Sequence, residues 1–226
     1  MRILAVETTE SLGSLAAMQD GNLLLERELD AAKRTAQSLA PALKSLLAEV
    51  GWRPEEVGLV AVTTGPGSFT GLRVGVATAK AFAWAAGADI FGVDTLEVVA
   101  NATPAGVDLV SVAVDAQRGD VVAATFRREA DGWLCATGSA QLMPAADWLG
   151  GLAATVAVSG PALARYLDTV PQRLNALPRG CWRARAALVA RTAARRYAAG
   201  ERCDLWALAP RYSRPSAAEE KWRRHP

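Results

Sequence analysis

The chain has 226 residues, 51% hydrophobic and 21% charged, with a formal net charge of +2. That balance fits one large or two small globular domains and excludes a disordered, collagen-like or coiled-coil chain. Cys135, Cys181 and Cys203 stand apart with no CxxC spacing, and a core this size closes without disulfides or metal, so a reducing, cytoplasmic setting is expected. The opening MRILAVE carries a glutamate at position 7 and no apolar run reaches about 18 residues, so neither a signal peptide nor a membrane span is expected.

The first half opens with three predicted strands, Arg2 to Val6, Ser11 to Met18 and Asn22 to Leu29, the last two joined at Asp20-Gly21. An Asp-Gly pair accepts the positive φ of a tight hairpin. Leu39, Leu43, Leu46, Leu47 and Val50 form one apolar stripe at helical period, closed by Gly51. A strand from Leu59 to Val62 leads into TTGPGSFTG, then a helix from about Gly71 to Ala86 ended by Gly87, then a strand from Ile90 to Val93. That second helix has only Arg73 and Lys80 as charges. A helix apolar or small on nearly every side is either deeply buried or shared with another chain.

The second half repeats the plan. Leu109 to Val114 ends in Asp115 as the first strand ends in Glu7, Val121 to Phe126 follows, Asp131-Gly132 makes the hairpin, and Trp133 starts the third strand. Thr155 to Val158 runs into Ser159-Gly160-Pro161, and a helix from about Arg183 to Ala199 closes the half. Two copies of β-β-β-α-β-α describe an α/β protein of the duplicated ribonuclease H-like fold, the actin, Hsp70 and sugar-kinase (ASKHA) architecture, with a mixed five-stranded sheet in each lobe. The expected lobes are 1–103 and 104–226, divided at the linker-like stretch Asn-Ala-Thr-Pro-Ala-Gly.

Three features carry candidate chemistry. The Gly65 to Gly71 loop follows a strand and opens a helix, where N–H groups favour an anion, but it lacks the Gly-Lys-Ser/Thr of a Walker loop. It reads either as a ligand loop or as a tight strand-to-helix crossing. Glu7, Thr8 and Thr9, with Asp115, stand where this fold keeps its nucleotide and metal groups; they read either as a vestigial nucleotide site or as a capped turn. Charge is divided unevenly: residues 1–164 hold 11 basic and 18 acidic residues, net −7, and residues 165–226 hold 14 and 5, net +9. The basic tail reads either as a surface for an acidic partner or nucleic acid phosphate, or as a solvated arginine-rich helix. The single histidine, His225, leaves no usual zinc or iron ligand set and no Ser-His-Asp or Cys-His arrangement.

The stretch from Thr63 to Glu97, TTGPGSFTGLRVGVATAKAFAWAAGADIFGVDTLE, resembles the signature of the tRNA threonylcarbamoyladenosine biosynthesis family TsaB, also called YeaZ. MRILAVETT, the run Asp115 to Val121, Ser159-Gly160-Pro161, and Ala209 to Pro215 with Glu219 resemble further pieces of that family. Where its members often carry a histidine near the first helix, this chain has Arg34-Thr35-Ala36-Gln37-Ser38. The family resembles the catalytic protein TsaD, whose paired metal-binding histidines correspond here to Thr95 and Val99.

The resemblance implies a non-catalytic partner that binds TsaD through its two N-terminal helices, joins the ATPase TsaE, reaches tRNA through the complex and forms a homodimer in isolation. No catalytic residue, metal or certain cofactor is implied; weak ATP or ADP binding, in the chain or at the complex interface, stays open. The expected interface is Ala36, Leu39, Ala40 and Leu43 of the first helix with Phe69, Leu72, Val76, Ala79, Lys80 and Ala83 of the second; each residue also reads as internal core. Arginine at Ala36 or Ala79 is expected to break partner binding and spare the fold. Competing readings are an ATP-dependent small-molecule kinase of the same fold, a peptidase, and direct tRNA binding through Arg183 to Arg224.

Overall fold

In the computed structural model of the chain, residues 1–10 and 12–213 are described. Strands β1 (Arg2–Glu7), β2 (Ser14–Gln19) and β3 (Asn22–Glu28) form an antiparallel meander. Asp20 and Gly21 both take positive φ, 50° and 82°, as a two-residue hairpin requires. The second strand starts later than its sequence pattern; Ser11, where that expectation began, lies outside the described residues.

Helix α1 (Thr35–Glu49) buries Leu39, Leu43, Leu46 and Leu47, the stripe read from the sequence. Strand β4 (Leu59–Gly65) lies parallel beside β1, helix α2 (Phe69–Ala86) ends at Gly87 with φ 68°, and β5 (Asp89–Asp94) completes a sheet ordered β3-β2-β1-β4-β5. A short helix, α3 (Thr95–Ala100), follows at once, capped by Asp94, whose Oδ1 accepts the Leu96 and Glu97 N–H groups at 2.7 and 3.3 Å.

Residues 101–108 lead into the second sheet. It is built from β6 (Leu109–Asp115), β7 (Asp120–Arg128), β8 (Leu134–Ala136), β9 (Gln141–Pro144), β10 (Ala157–Ser159) and β11 (Asn175–Ala176), with helices α4 (Ala145–Gly150) and α5 (Leu163–Tyr166). Here the expectation of five strands is corrected to six. The edge strand of this lobe is split, β9 pairing with the first half of β7 and β8 with its second half.

The strand alternation sorts the core into three layers. Leu4, Val6, Val60 and Val62 face α1 and α2. Ile3, Ala5, Leu59 and Ala61 face the other way, toward Val110, Val112 and Phe126 of the second sheet. The far side of the second sheet packs Ala113, Val121 and Val158 on Trp148, Leu149 and Leu163. Between the sheets lie α3 and the last helix, α6 (Ala186–Ala198), whose Ala186, Val189, Ala190 and Ala193 are buried there. The helix expected to close the second half therefore seats on β1 and β2 of the first sheet. Its start is pinned there, Ala186 N donating to Ser14 Oγ and Ala187 N to Glu26 Oε1, both at 2.9 Å. Each sheet thus receives a helix from the other half, and the two lobes share one core.

Beyond α6, residues 203–213 run back along α2 as a strap. Leu205 and Leu208 pack on the α2 side of the first sheet. Lys80 Nζ donates to the carbonyls of Trp206 and Leu208 at 3.1 and 3.0 Å. Arg211 N reaches Thr64 O at 2.7 Å, and its guanidinium meets Asp94 at 2.7 Å. Residues 214–226, with Arg214, Pro215 and Glu219 of the resembling tail, the end of the basic stretch and His225, lie outside the described residues.

Candidate functional site

The two sheets leave a cleft of about 740 Å³ at the ends of β1, β4 and β6. One wall is Thr9, Glu10 and the Pro66–Thr70 turn; the other is Asp115, Ala116, Gln117, Arg118 and Pro161; Tyr212 and Ser213 of the strap complete it. Of the four residues expected to form a nucleotide site, Thr9 and Asp115 line this cleft, and Glu7 and Thr8 do not.

Glu7 is fully buried, its Oε1 accepting both the backbone N–H (2.6 Å) and the hydroxyl of Thr9. Its Oε2 has no hydrogen-bond partner. Burial is the largest influence on this carboxyl, and it pushes the pKa up to about 7 against the bonds from Thr9. Glu10 is raised for the same reason, opposed by Arg183. Thr8 turns away from the cleft and donates to Gly71 O at 2.8 Å.

That placement explains the glycine-rich motif. A Cβ at Gly71 would strike Thr8 O, and one at Gly75 would strike the Thr8 hydroxyl. Gly65 leaves room for Arg211 O in the same way. Ser68 N donates to Thr9 O at 2.8 Å, and Ser68 Oγ accepts Gly71 N at 3.2 Å. The loop is a strand-to-helix crossing whose glycines admit the chain's own backbone. A phosphate has no open glycine surface there, so these residues do not fit the nucleotide cradle that the fold implies. Gly160 does the equivalent work in the second lobe, its missing Cβ admitting Ala113.

Thr95 and Val99, which the resemblance sets against metal-binding histidines, are buried on α3 among the inter-sheet residues, and neither is a usual metal ligand. Among the described residues no group of three His, Cys, Asp or Glu side chains comes together. No helix among them is long and apolar enough to cross a membrane.

The expected interface divides in two. Leu39, Leu43, Leu72, Val76, Ala79 and Ala83 are turned inward and buried, so they offer a partner no surface, and arginine at Ala79 would disturb the fold itself. Ala36 and Ala40 are exposed, while Phe69 and Lys80 are half-buried under the strap. The sequence did not separate the inward from the outward side of α2 because both sides are apolar or small. The outward side is Arg73, Ala77, Ala81, Trp84 and Ala85. Sequence reasoning also missed the cluster at its N-terminal end, where Arg73 stacks on Phe69 (4.1 Å) and donates to Tyr212 Oη at 2.9 Å. Tyr212 in turn lies 4.5 Å from Phe69.

Part of the uneven charge is paired inside the molecule. Arg183 meets Glu10 and Glu28 at 3.7 and 3.6 Å, Arg185 meets Glu26, Arg196 meets Glu97 at 3.0 Å, and Arg165 meets Asp115 at 3.4 Å. The cationic last third is fastened to the acidic first part, which leaves those arginines poorly placed to hold nucleic acid phosphate.

Fold and site together define a two-lobed α/β protein of the duplicated ribonuclease H-like class, its first-lobe loop filled by its own turn. Residues 29–167 match the family model described as "TsaD: tRNA N6-adenosine threonylcarbamoyltransferase". The chain is 32% identical over 149 residues to the tRNA threonylcarbamoyladenosine biosynthesis protein TsaB of Bacillus subtilis, covering 66% of this chain and 65% of that one. It is 34% identical over 134 residues to the Escherichia coli protein of the same name, covering 58% of each. A Pseudomonas aeruginosa structure described as similar to peptidase YeaZ superposes with a TM-score of 0.79 at 25% identity, over 94% of this chain and 99% of that one. The chain belongs to this family, on its TsaB/YeaZ side. The matched stretch spans under two thirds of the length of these two curated relatives.

Proposed function

We propose that this chain is a non-catalytic subunit of the assembly that moves threonylcarbamoyl from threonylcarbamoyl-AMP to the adenosine 3′ of the tRNA anticodon. It acts in the cytoplasm by binding and stabilising a TsaD-type transferase. One observation carries the reading: the chain has the family's fold, while Thr8 and Thr9 close the first lobe's glycine-rich loop; the resemblance adds that Thr95 and Val99 stand where the transferase has its metal-binding histidines.

In this reading the N-terminal lobe, 1–103, presents the outer faces of α1 and α2 to the transferase, with Ala36 and Ala40 at the contact. The same face supports a homodimer when the chain is alone. The second lobe, 104–226, carries the basic tail; TsaE joins the assembly and tRNA is reached through it. What the chain does chemically is hold a partner: the shared inter-sheet core makes a rigid platform on which two helices are fixed relative to one another.

The test is reconstitution from purified parts. Transferase, threonylcarbamoyl-AMP and tRNA are combined with and without this chain, and modified nucleoside is measured by mass spectrometry. Transfer that depends on the chain, with none from the chain alone, is expected. Transfer by the chain alone, or full transfer without it, would contradict the reading.

A further inference from the structure

Two tryptophans are the most exposed large apolar side chains among the described residues, Trp84 at 69% and Trp206 at 74%. They belong to adjacent elements. Trp84 lies on α2 one turn after Lys80, and Lys80 holds the Trp206 carbonyl. Around them the outward side of α2 shows Ala77, Ala81 and Ala85. Small residues let another helix approach closely, and large exposed aromatics beside them are the usual anchors of an interface.

The helices of this face are cationic, and the strap beside them adds one acid, Asp204, whose Oδ1 accepts the Trp206 and Ala207 N–H groups at 2.7 and 2.8 Å. The helices α1 and α2 contain a single acid, Glu49, and it is bound to Arg27. Their cations, Lys44, Arg73 and Lys80, have no carboxylate partner among the described residues; there Arg73 and Lys80 bond to a phenol and to carbonyls. A second copy placed symmetrically on this face would set cation against cation, which makes the homodimer the weaker of the two assemblies on it. A protein with a small apolar helical face rimmed by carboxylates fits it instead.

We infer that Trp84 and Trp206 anchor a carboxylate-rimmed protein, and that the strap is part of the docking surface together with α1 and α2. Resting on the function proposed above, that protein is the TsaD-type transferase. The strap then has a definite purpose: it carries Trp206 to the partner face, fixed by Lys80, while its far end lines the cleft through Tyr212 and Ser213.

The experiment titrates the full chain with the transferase of the same organism by calorimetry, at low and high salt, for wild type, Trp84→Ser, Trp206→Ser and Arg73→Glu. Both tryptophans are exposed, so circular dichroism is expected to be unchanged. The inference predicts at least tenfold weaker binding for each tryptophan variant and for Arg73→Glu, with wild-type binding weakened by salt. Unaltered affinity of both tryptophan variants overturns the inference and leaves the partner reading standing. Absence of wild-type binding overturns both. A self-association that exceeds the mixed affinity in sedimentation, and is lost in Trp206→Ser, overturns the choice of partner.

Discussion

The two lobes end their first strands in the same way and use the ends differently. In the first, Glu7 is buried under its own turn, bonded to Thr9, with Thr8 filling the space left by Gly71 and Gly75. In the second, Asp115 lies at the cleft edge, caps a turn through Gln117 N at 2.8 Å and meets Arg165. The two halves share one strand plan, and in the first lobe the loop is filled by packing. A glycine-rich loop after a strand is therefore a statement about close approach, and what approaches can be the protein itself.

The largest test of that contrast is Gly75→Val. Its side chain would enter the space of the Thr8 hydroxyl, and overpacking of this kind is expected to cost about 3 kcal/mol or more in thermal or urea unfolding. Gly138→Val, where nothing lies within 4 Å, should fall within about 0.5 kcal/mol of wild type. Equal effects at the two positions would break the packing account of the motif.

Glu7 gives the next effect. Its carboxyl ionises near 4.5 in the unfolded chain and about 7 in the fold. The folded chain holds the extra proton between those values, so stability is highest below the lower value, falls as pH rises through the window, and is flat above it. At about 1.4 kcal/mol per unit the loss approaches about 3 kcal/mol. Glu7→Gln should gain on the order of 2 kcal/mol over wild type at pH 8 and little at pH 4.5. Some slope should persist, because burial raises Glu10, Asp94 and Glu97 as well. A wild-type stability that climbs from pH 5 to pH 8 would contradict a protonated Glu7.

Smaller effects follow from the strap and from Asp115. Lys80→Ala removes two bonds to strap carbonyls and should cost about 1 kcal/mol, with faster proteolysis between residues 204 and 213 as the sharper readout. Asp115→Asn keeps an acceptor for Gln117 N and loses only an exposed ion pair, so its effect should stay below about 0.5 kcal/mol.

Much of this was legible in the sequence. The hairpin at Asp20-Gly21, the stripe from Leu39 to Leu47 and the repeat of Glu7 in Asp115 each follow from local chemistry or period. Helix α3 was hidden because six residues give too short a window for a helical pattern, and β9 because four residues share an edge with β8. The inward side of α2 was not distinguishable for a physical reason: Leu72, Val76, Ala79 and Ala83 and the outward set Arg73, Ala77, Ala81 and Trp84 each recur every three or four residues, and apart from Arg73 both sets are apolar. The strap was invisible because backbone carbonyls, glycine vacancies and single side-chain contacts such as Arg211 with Asp94 hold it, and none of these leaves a periodic trace. The charge asymmetry was legible as a fact, but that it closes the molecule on itself emerges only when Arg183, Arg185 and Arg196 are seen beside Glu10, Glu26 and Glu97.

The central claim, that the chain is a required but non-catalytic partner in tRNA modification, is tested most directly by nucleoside mass spectrometry of bulk tRNA after depleting the chain in its own host. Loss of threonylcarbamoyladenosine while threonylcarbamoyl-AMP is still made, restored by the wild-type chain, is the predicted result. Persistence of the modification at its normal level would contradict the account.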